Sequence, residues 1–448
     1  MFRRLLVANR GEIARRILRA SKKLGIETVA VHSEADKDMP FVREADQAIC
    51  IGPARASESY LDMEAVLQAA AQSEAQAIHP GYGFLSENAL FAQMVIGQRL
   101  AWIGPPPRVI RLMGEKAPAK AAMRAVGLPL IPGSDGLLES VDQALSVAER
   151  IGYPVLLKAD AGGGGKGMRR ADDPKSLREA WEAASNEARA SFGNGALYME
   201  KYLEGARHIE FQILADSWGN AVHVFERECS IQRRHQKLLE EAPSVALTES
   251  QRMSMGARVA KACADVGYVG AGTVEFLRDK KSGELYFIEM NTRLQVEHPV
   301  TEEITGLDLV EAQIRVAAGE KLWFRQEDLR IQGHAIEIRL NAEDPAADFR
   351  PSPGEVTRFS LPTGPLGAGR VRVDAAIEAG SRISPYYDSM VGKVIAWGPD
   401  RAAAIDVLSK ALADLDIAGI PTTAPLHRQI LAAASFRAGD LEVGVIPS

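Results

Sequence analysis

Short apolar runs alternate along the N-terminal quarter of the chain with stretches whose apolar residues recur every three or four positions. RLLVA (4–8) has the continuous apolar character of a buried strand, and after Asn9-Arg10-Gly11 the residues Ile13, Ile17, Leu18 and Leu24 share one helical face. TVAVH (28–32) follows Gly25; AICIG (48–52), AIH (77–79) and 102–104 continue the series, with a helical pattern at 63–71. The alternation predicts an α/β fold, with a doubly wound parallel sheet over roughly the first 110 residues. The first turn holds one glycine, which excludes a dinucleotide fingerprint.

Beyond PPP (105–107) the pattern changes. A helix is predicted over 141–151, and in VLLKADAGGGGKGMRR (155–170) strand residues surround a glycine run. The runs 208–215, 221–227, 272–277 and 284–290 alternate apolar with polar residues, as strands of an antiparallel sheet do. A last block, 333–448, opens with GHAIEIRLNAED and closes with a helical pattern at 401–414. Internal repeats and low-complexity segments are absent from the sequence.

Composition narrows the class. With 46% apolar and 25% charged residues over 448 positions, this is a folded chain of two to four domains. A net charge of -6 argues against nucleic acid as a partner. Cys50, Cys229 and Cys263 lack metal-ligand spacing and fit free thiols in a reducing, cytoplasmic setting. The start, MFRRLLVANRGE, is too soon charged for a signal peptide, and no run reaches membrane length.

Gly162, Gly164 and Gly167 match G-x-G-x-x-G, but MRRADDP follows where a helix should open, and Lys166 lacks the Ser or Thr of a P-loop. Two readings stay open: a surface hairpin with a mobile tip, or a loop whose bare N–H groups close over phosphate, with Lys158 adding charge. Glu275 and Glu289 lie on either side of a turn at 279–283. In a hairpin whose facing positions sum to 564, the two carboxylates stand side by side. Opposed like charges destabilise a sheet, and a shared divalent cation is the simplest compensation; with Asn291 nearby, oxygen ligands suit magnesium or manganese.

From Glu289 onward every second residue is polar: Asn291, Arg293, Gln295, Glu297. A straight strand would spread this series over about 26 Å, too far for one site. A bend at 292–294 is therefore expected, folding Glu297 back as a general base while Arg293 grips a small planar anion. RECSIQRRHQKLLEEAP (227–243) concentrates Arg233, Arg234, His235 and Lys237 between acids and suggests a local anion pocket. His79 and His208 read as structural histidines. Arg339, on a face with Glu337 and Asn341, reads by pattern alone as a surface arginine.

ANRGEIA (8–14), IHPGYGFLSEN (78–88), MGEK (113–116), GGGGKGMR, MEKYLEGARHIEFQ (199–212), ECSIQRRHQK (228–237), FIEMNTRLQVEHPVTE (287–302), AEDP and YYDSMVGK (386–393) together resemble the biotin carboxylases, ATP-grasp ligases, essentially end to end. The resemblance implies three domains: a Rossmann-like N-terminal domain (1–114), an ATP-grasp domain (115–330) with a mobile glycine-rich lid at about 131–203, and a C-terminal α+β domain with an antiparallel sheet (331–448). It implies ATP held by Lys116, Lys158, Gly164, Gly165, Glu200, Lys201, Tyr202, Leu203, His208, Gln232 and His235. Mg2+ or Mn2+ would sit on Glu275, Glu289 and Asn291. Bicarbonate would be placed by Lys237, Arg293, Gln295, Val296 and Arg339, with Glu297 as its base, and biotin by Tyr82, Gly83 and Arg339. Implied partners are a biotin carboxyl carrier protein, carboxyltransferase subunits of acetyl-CoA carboxylase or a related enzyme, and a second copy of the chain.

Two positions depart from the family pattern. Lys23 stands where an acid is expected to meet Arg19 across a dimer interface, and Asp160 stands beside the glycine run where a small neutral residue is usual. No Met-Lys-Met occurs, so biotin is expected on a separate carrier. Two competing readings are another bicarbonate-activating ligase, such as a carbamoyl phosphate synthetase half, which would carry a duplicated partner half, and a nucleotide-binding regulator, which would lack a base or a metal ligand.

Overall fold

A computed structural model describes residues 1–159, 168–192 and 195–447, with the backbone alone described at 116, 117, 191 and 192. The predicted parallel sheet is present: strands Arg4–Val7, Glu27–His32, Gln47–Cys50, Ala77–His79 and Ala101–Trp102 stand in the order 3-2-1-4-5. The first strand pairs parallel with the second and the fourth. Leu5 and Val7 pack into one apolar cluster and Leu6 and Ala8 into another, so both faces are covered, which is why these strands read as unbroken apolar runs. At the sheet's mouth Asn9 Nδ2 donates to the carbonyls of Pro80 and Tyr82, at 2.6 and 2.7 Å. Gly81 sits at φ +62° with Asn9 Nδ2 2.9 Å from where a Cβ would lie, so the two loops can close only around glycine.

The four alternating runs are neighbours in a nine-stranded antiparallel sheet. From one edge its strands are Leu285–Asn291, Gly270–Arg278, Arg207–Ala215, Ala221–Arg233, Gln236–Ala242, His334–Asn341, Met390–Gly398, Gly369–Ala375 and Gly364–Leu366. The sheet runs without a break across residue 330, where the sequence suggests a domain boundary. Helix Glu249–Asp265, opened by a Thr248/Gln251 capping box, packs on one end, and Arg401–Ala413 packs on the other.

A smaller sheet holds Met168–Ala171, Val155–Ala159 and Leu197–Lys201, all antiparallel. Ala144, Ala148, Leu177 and Ala180, from the helices Val141–Ile151 and Pro174–Phe192, join its core. The helix at 141–151 has the predicted bounds. Gly164, Gly165 and Asp160 lie outside the described residues.

Candidate active site

A cleft of about 1230 Å3 is lined by the loops of the parallel sheet, by the small sheet and by one face of the nine-stranded sheet. Strands Gly270–Arg278 and Leu285–Asn291 form the expected hairpin, with Glu275 opposite Glu289 and Thr273 opposite Asn291. The predicted register holds only on this side; a bulge after Glu275 sets Phe276 against Phe287.

Glu275 is crowded with donors. It accepts from Asn291 Nδ2 (2.8 Å), Gln295 Nε2 (2.9 Å) and Lys237 Nζ (3.0 Å), and His208 Nε2 stands 3.0 Å away. Burial opposes its charge, yet Lys237 and His208 hold its pKa below the ordinary range. The Glu289 side chain makes no hydrogen bond or ion pair with a described residue and is exposed in the cleft, where partial desolvation together with Glu275 raises its pKa. A carboxylate that faces another acid without a counter-charge fits a divalent cation, and the donors are all hard oxygens. Among the described residues, the sets His208/Glu210/Glu275 and Glu210/Cys229/Glu297 are also close enough to share an ion. Lys237 and Arg227 already neutralise them.

The expected bend is present. The strand ends at Asn291, the chain turns through Thr292 and Arg293, and Glu297 becomes the N-cap of helix His298–Thr305. Lys237 Nζ donates to Glu297 Oε1 at 2.6 Å and Arg339 Nη2 to Oε2 at 2.9 Å. Burial opposes the charge of Glu297, but Lys237, Arg339 and Arg227 hold its pKa well below the carboxylate range. One ammonium thus joins Glu297 to Glu275 and to Glu210 (2.6 Å).

Arg293 is held in place by Nε to Glu87 Oε2 (2.8 Å), Nη1 to Gln295 Oε1 (2.9 Å) and Nη2 to Asn291 Oδ1 (2.9 Å). The Val296 carbonyl accepts from Lys393 Nζ at 2.7 Å. Arg339 is not the surface arginine its strand pattern suggests: Nε donates to Glu240 Oε1 at 2.7 Å, and the face it occupies lines the cleft. The 227–243 segment is a hairpin, and its Arg233, Arg234, His235 and Lys237 all line the cleft. Arg234 and His235 form a two-residue turn with φ +49° and +65°, Arg233 and Arg234 pair with Asp348, and Lys237 points inward to acids.

At the opposite end, Lys158 and Lys120 both bond the Glu200 carboxylate. Lys201 Nζ donates to the carbonyls of Gly152 (3.0 Å) and Tyr153 (2.6 Å), and the Tyr202 N–H donates to Pro154. Leu203, Gln232 and His235 line the cleft, and Gln232 Nε2 meets His208 Nδ1 at 3.0 Å. Lys116 starts the helix Lys116–Ala125, but its side chain lies outside the described atoms. Tyr82, whose hydroxyl donates to Glu12, and Gly83 line the cleft, as Arg339 does. His79 is the structural histidine expected: fully buried, its Nδ1 accepting from the Gly81 N–H at 3.0 Å. His208 is buried too, but against Glu275.

Several participants escape sequence reasoning. Glu210 and Gln212 carried a usable signal, because HIEFQ alternates as the 289–297 series does. Glu87, Lys120, Glu240 and Lys393 carried none, since each gains its meaning from a strand or loop distant in sequence. Lys23 pairs with Glu311 at 2.9 Å and Arg19 with Asp374 within the chain. Neither observation bears on a second copy.

Family models match along the chain: the biotin carboxylase N-terminal domain over residues 1–110, the carbamoyl-phosphate synthase L chain ATP-binding domain over 115–324, and the biotin carboxylase C-terminal domain over 337–448. A biotin carboxylase of Nostoc sp. is 51% identical over 99% of this chain and 98% of its own length. A biotin carboxylase of Haemophilus influenzae is 52% identical over 99% of this chain and 98% of its own. The biotin carboxylase domain dimer of Hydrogenobacter thermophilus 2-oxoglutarate carboxylase, solved with MgADP, ADP and bicarbonate, superposes with TM-score 0.91 at 50% identity, covering 99% of this chain and 96% of that one. With half its residues shared over nearly its full length and the same fold, the chain belongs to the biotin carboxylase family of ATP-dependent, ATP-grasp ligases.

Proposed function

We propose that the cleft carboxylates biotin in two stages, with ATP at the Lys158–Glu200 end and biotin at the Tyr82–Arg339 end. Lys116, Lys158, the 200–203 segment, His208, Gln232 and His235 hold the nucleotide, and Gly164 and Gly165 close over its phosphates. Glu275, Glu289 and the Asn291 amide oxygen would hold Mg2+ or Mn2+, which neutralises phosphate charge. Lys237, Arg293, Gln295 and the Val296 backbone place bicarbonate, and Glu297 takes its proton as the bicarbonate oxygen attacks the terminal phosphoryl group. This gives carboxyphosphate and ADP. Carboxyphosphate breaks to carbon dioxide and phosphate; the phosphate removes the ureido proton of biotin, Arg339 stabilises the enolate, and N-carboxylation follows.

The observation that carries this reading is the single Lys237 ammonium bonded to both Glu275 and Glu297. It brings Glu275 and Glu297 within one side chain's reach, which supports a cation site beside a base, as phosphoryl transfer to a deprotonated anion requires. Held by two cations, Glu297 is a weak base. Bicarbonate that draws Lys237 away raises its basicity when it is needed.

The biotin is carried by a separate carrier protein, and the carboxyl group passes to a carboxyltransferase in an acetyl-CoA, pyruvate or 2-oxo acid carboxylase. The working unit is a dimer, as in the Hydrogenobacter relative, and it acts in the cytoplasm. Among the described residues, no helix is long and apolar enough to cross a membrane. Another bicarbonate-activating ligase is disfavoured by the match of 337–448 to the biotin carboxylase C-terminal domain. Phosphate release from ATP, measured with and without bicarbonate and free biotin, tests the proposal. A rate needing bicarbonate and rising with biotin is expected, and one rate in every mixture overturns it.

A further inference from the structure

Beside Arg339, buried on the same sheet face, two acids stand abreast. Glu240 of strand Gln236–Ala242 is the register partner of Glu337 on strand His334–Asn341, and both are fully buried. Arg339 lies two residues beyond Glu337 on the same face. Glu240 Oε1 accepts from its Nε at 2.7 Å; Glu240 Oε2 and both oxygens of Glu337 meet no donor among the described residues. Lys393, the cross-strand neighbour of Arg339, is already committed to the Val296 carbonyl and to Glu12 Oε1 (3.1 Å). Two buried carboxylates side by side, with three oxygens unsolvated, cannot both stay ionised.

We propose that Glu240 and Glu337 hold one proton between them, and that this singly charged pair positions Arg339 for biotin. The inference rests on the reading that Arg339 serves biotin. Burial raises Glu240 to about 7 and Glu337 well above the carboxylate range, so Glu337 is the protonated partner near neutrality. Arg339, Glu297 and Lys237 face Glu240; Lys393, Arg339 and Glu297 face Glu337; Glu12 and Tyr82 approach from the N-terminal domain, bonded to each other. With Glu240 ionised, Arg339 is gripped by Glu240 at Nε and by Glu297 at Nη2. When Glu297 takes the bicarbonate proton, its charge disappears, and Nη2 is free to meet the enolate oxygen while Nε stays anchored. A second proton on the pair, at lower pH, releases that anchor.

Infrared spectra of the full chain at pH 8 test this directly. A buried protonated-carboxyl C=O band, shifted in D2O, is expected in the wild type; it should vanish in Glu337→Gln and persist in Glu240→Gln. Glu240→Gln should lose about tenfold or more of biotin-dependent turnover, the value of a hydrogen bond to a charged group, and far less of bicarbonate-dependent ATP cleavage. Glu240→Asp should recover part of the loss. Glu337→Gln should leave the acid limb of the biotin reaction where it was. No such band in the wild type, or an acid limb shifted to lower pH in Glu337→Gln, overturns the shared proton. ATP cleavage that answers to bicarbonate but never to biotin would instead sink the biotin reading, and the band would still decide the proton.

Discussion

In the five-stranded parallel sheet, Leu5, Leu6, Val7, Val29 and Val31 are fully buried across both faces, and the chemistry sits in loops at the strand ends. The nine-stranded sheet is different. One face packs an apolar core but also buries Glu226, Glu228 and Glu241, paired with Arg252, Arg207 and Arg401, while the other buries Glu210, Arg227, Glu240, Glu337 and Lys393 with no measurable exposure. The first sheet positions loops such as 9–12 and 80–83, and its one cross-strand ion pair, Arg4 with Glu27 among the described residues, stays outside the cleft. In the second sheet the strand face itself carries the charges, its cations paired with acids. Under the proposed function, substrate anions exchange partners with these acids.

The largest expected effect separates the two sheets by chemistry. Glu297→Ala should lower turnover by about a thousandfold, within the range of general-base loss, and leave the KM for ATP nearly unchanged. Steady-state kinetics decide: comparable losses in kcat and ATP affinity would make Glu297 a structural cap of its helix. Next comes a matched pair of stability measurements. Lys237→Met strands Glu210, Glu275 and Glu297 without their shared ammonium and should cost about 3–5 kcal/mol in urea unfolding, along with the activity. Leu6→Ala should cost about 2–5 kcal/mol through its cavity, while the molecules that remain folded keep their turnover. If Leu6→Ala reduced turnover per folded molecule as much as Lys237→Met, the division between scaffold and reagent would fail.

How much of this could be read from the chain follows the same division. The parallel strands were legible because burial on both faces leaves an unbroken apolar run. Alternation correctly found the antiparallel strands, and the hairpin register found Glu275 and Glu289 as partners. Alternation also suggests that the polar face meets water, and here it meets a cleft; that is why Arg339 reads as a surface residue and Glu240 only as one of the acids that flank a basic segment. The bend after Asn291 was legible from reach alone. The contacts of Glu87, Lys120 and Lys393 were not, since they are set by sheet order and loop packing, which no local pattern encodes.

Acid gives the two sheets opposite signs. Burial, with Arg16 adding to it, lowers His79 in the parallel sheet to about 3, so the folded state refuses a proton that the unfolded chain accepts below 6.5. Its stabilising contribution is lost as pH falls. Glu240 in the antiparallel sheet is raised to about 7, so the folded state binds a proton that the unfolded chain releases above its ordinary carboxylate pKa, and its contribution grows as pH falls. Between pH 6.5 and 5 each amounts to about 2 kcal/mol. Urea midpoints should show His79→Gln flattening the acid loss of stability and Glu240→Gln steepening it. The same sign for both would mean that burial does not govern one of them.

The smallest effect tests the joint between the sheets. Glu87 lies in the loop that follows the parallel strand Ala77–His79, yet it accepts from the Thr292 N–H at 3.0 Å and from Arg293 Nε at 2.8 Å, where the antiparallel strand has just ended. Its side chain is 41% exposed, so water screens much of the ion pair. Glu87→Gln keeps an acceptor for Thr292 and loses only the charge that steadies Arg293. The KM for bicarbonate should rise about fivefold, near 1 kcal/mol, with kcat and the KM for ATP nearly unchanged. A drop in kcat at constant KM would mean that Arg293 is steadied mainly in the transition state, and the loop of the first sheet would then belong to the chemistry rather than to the frame around it.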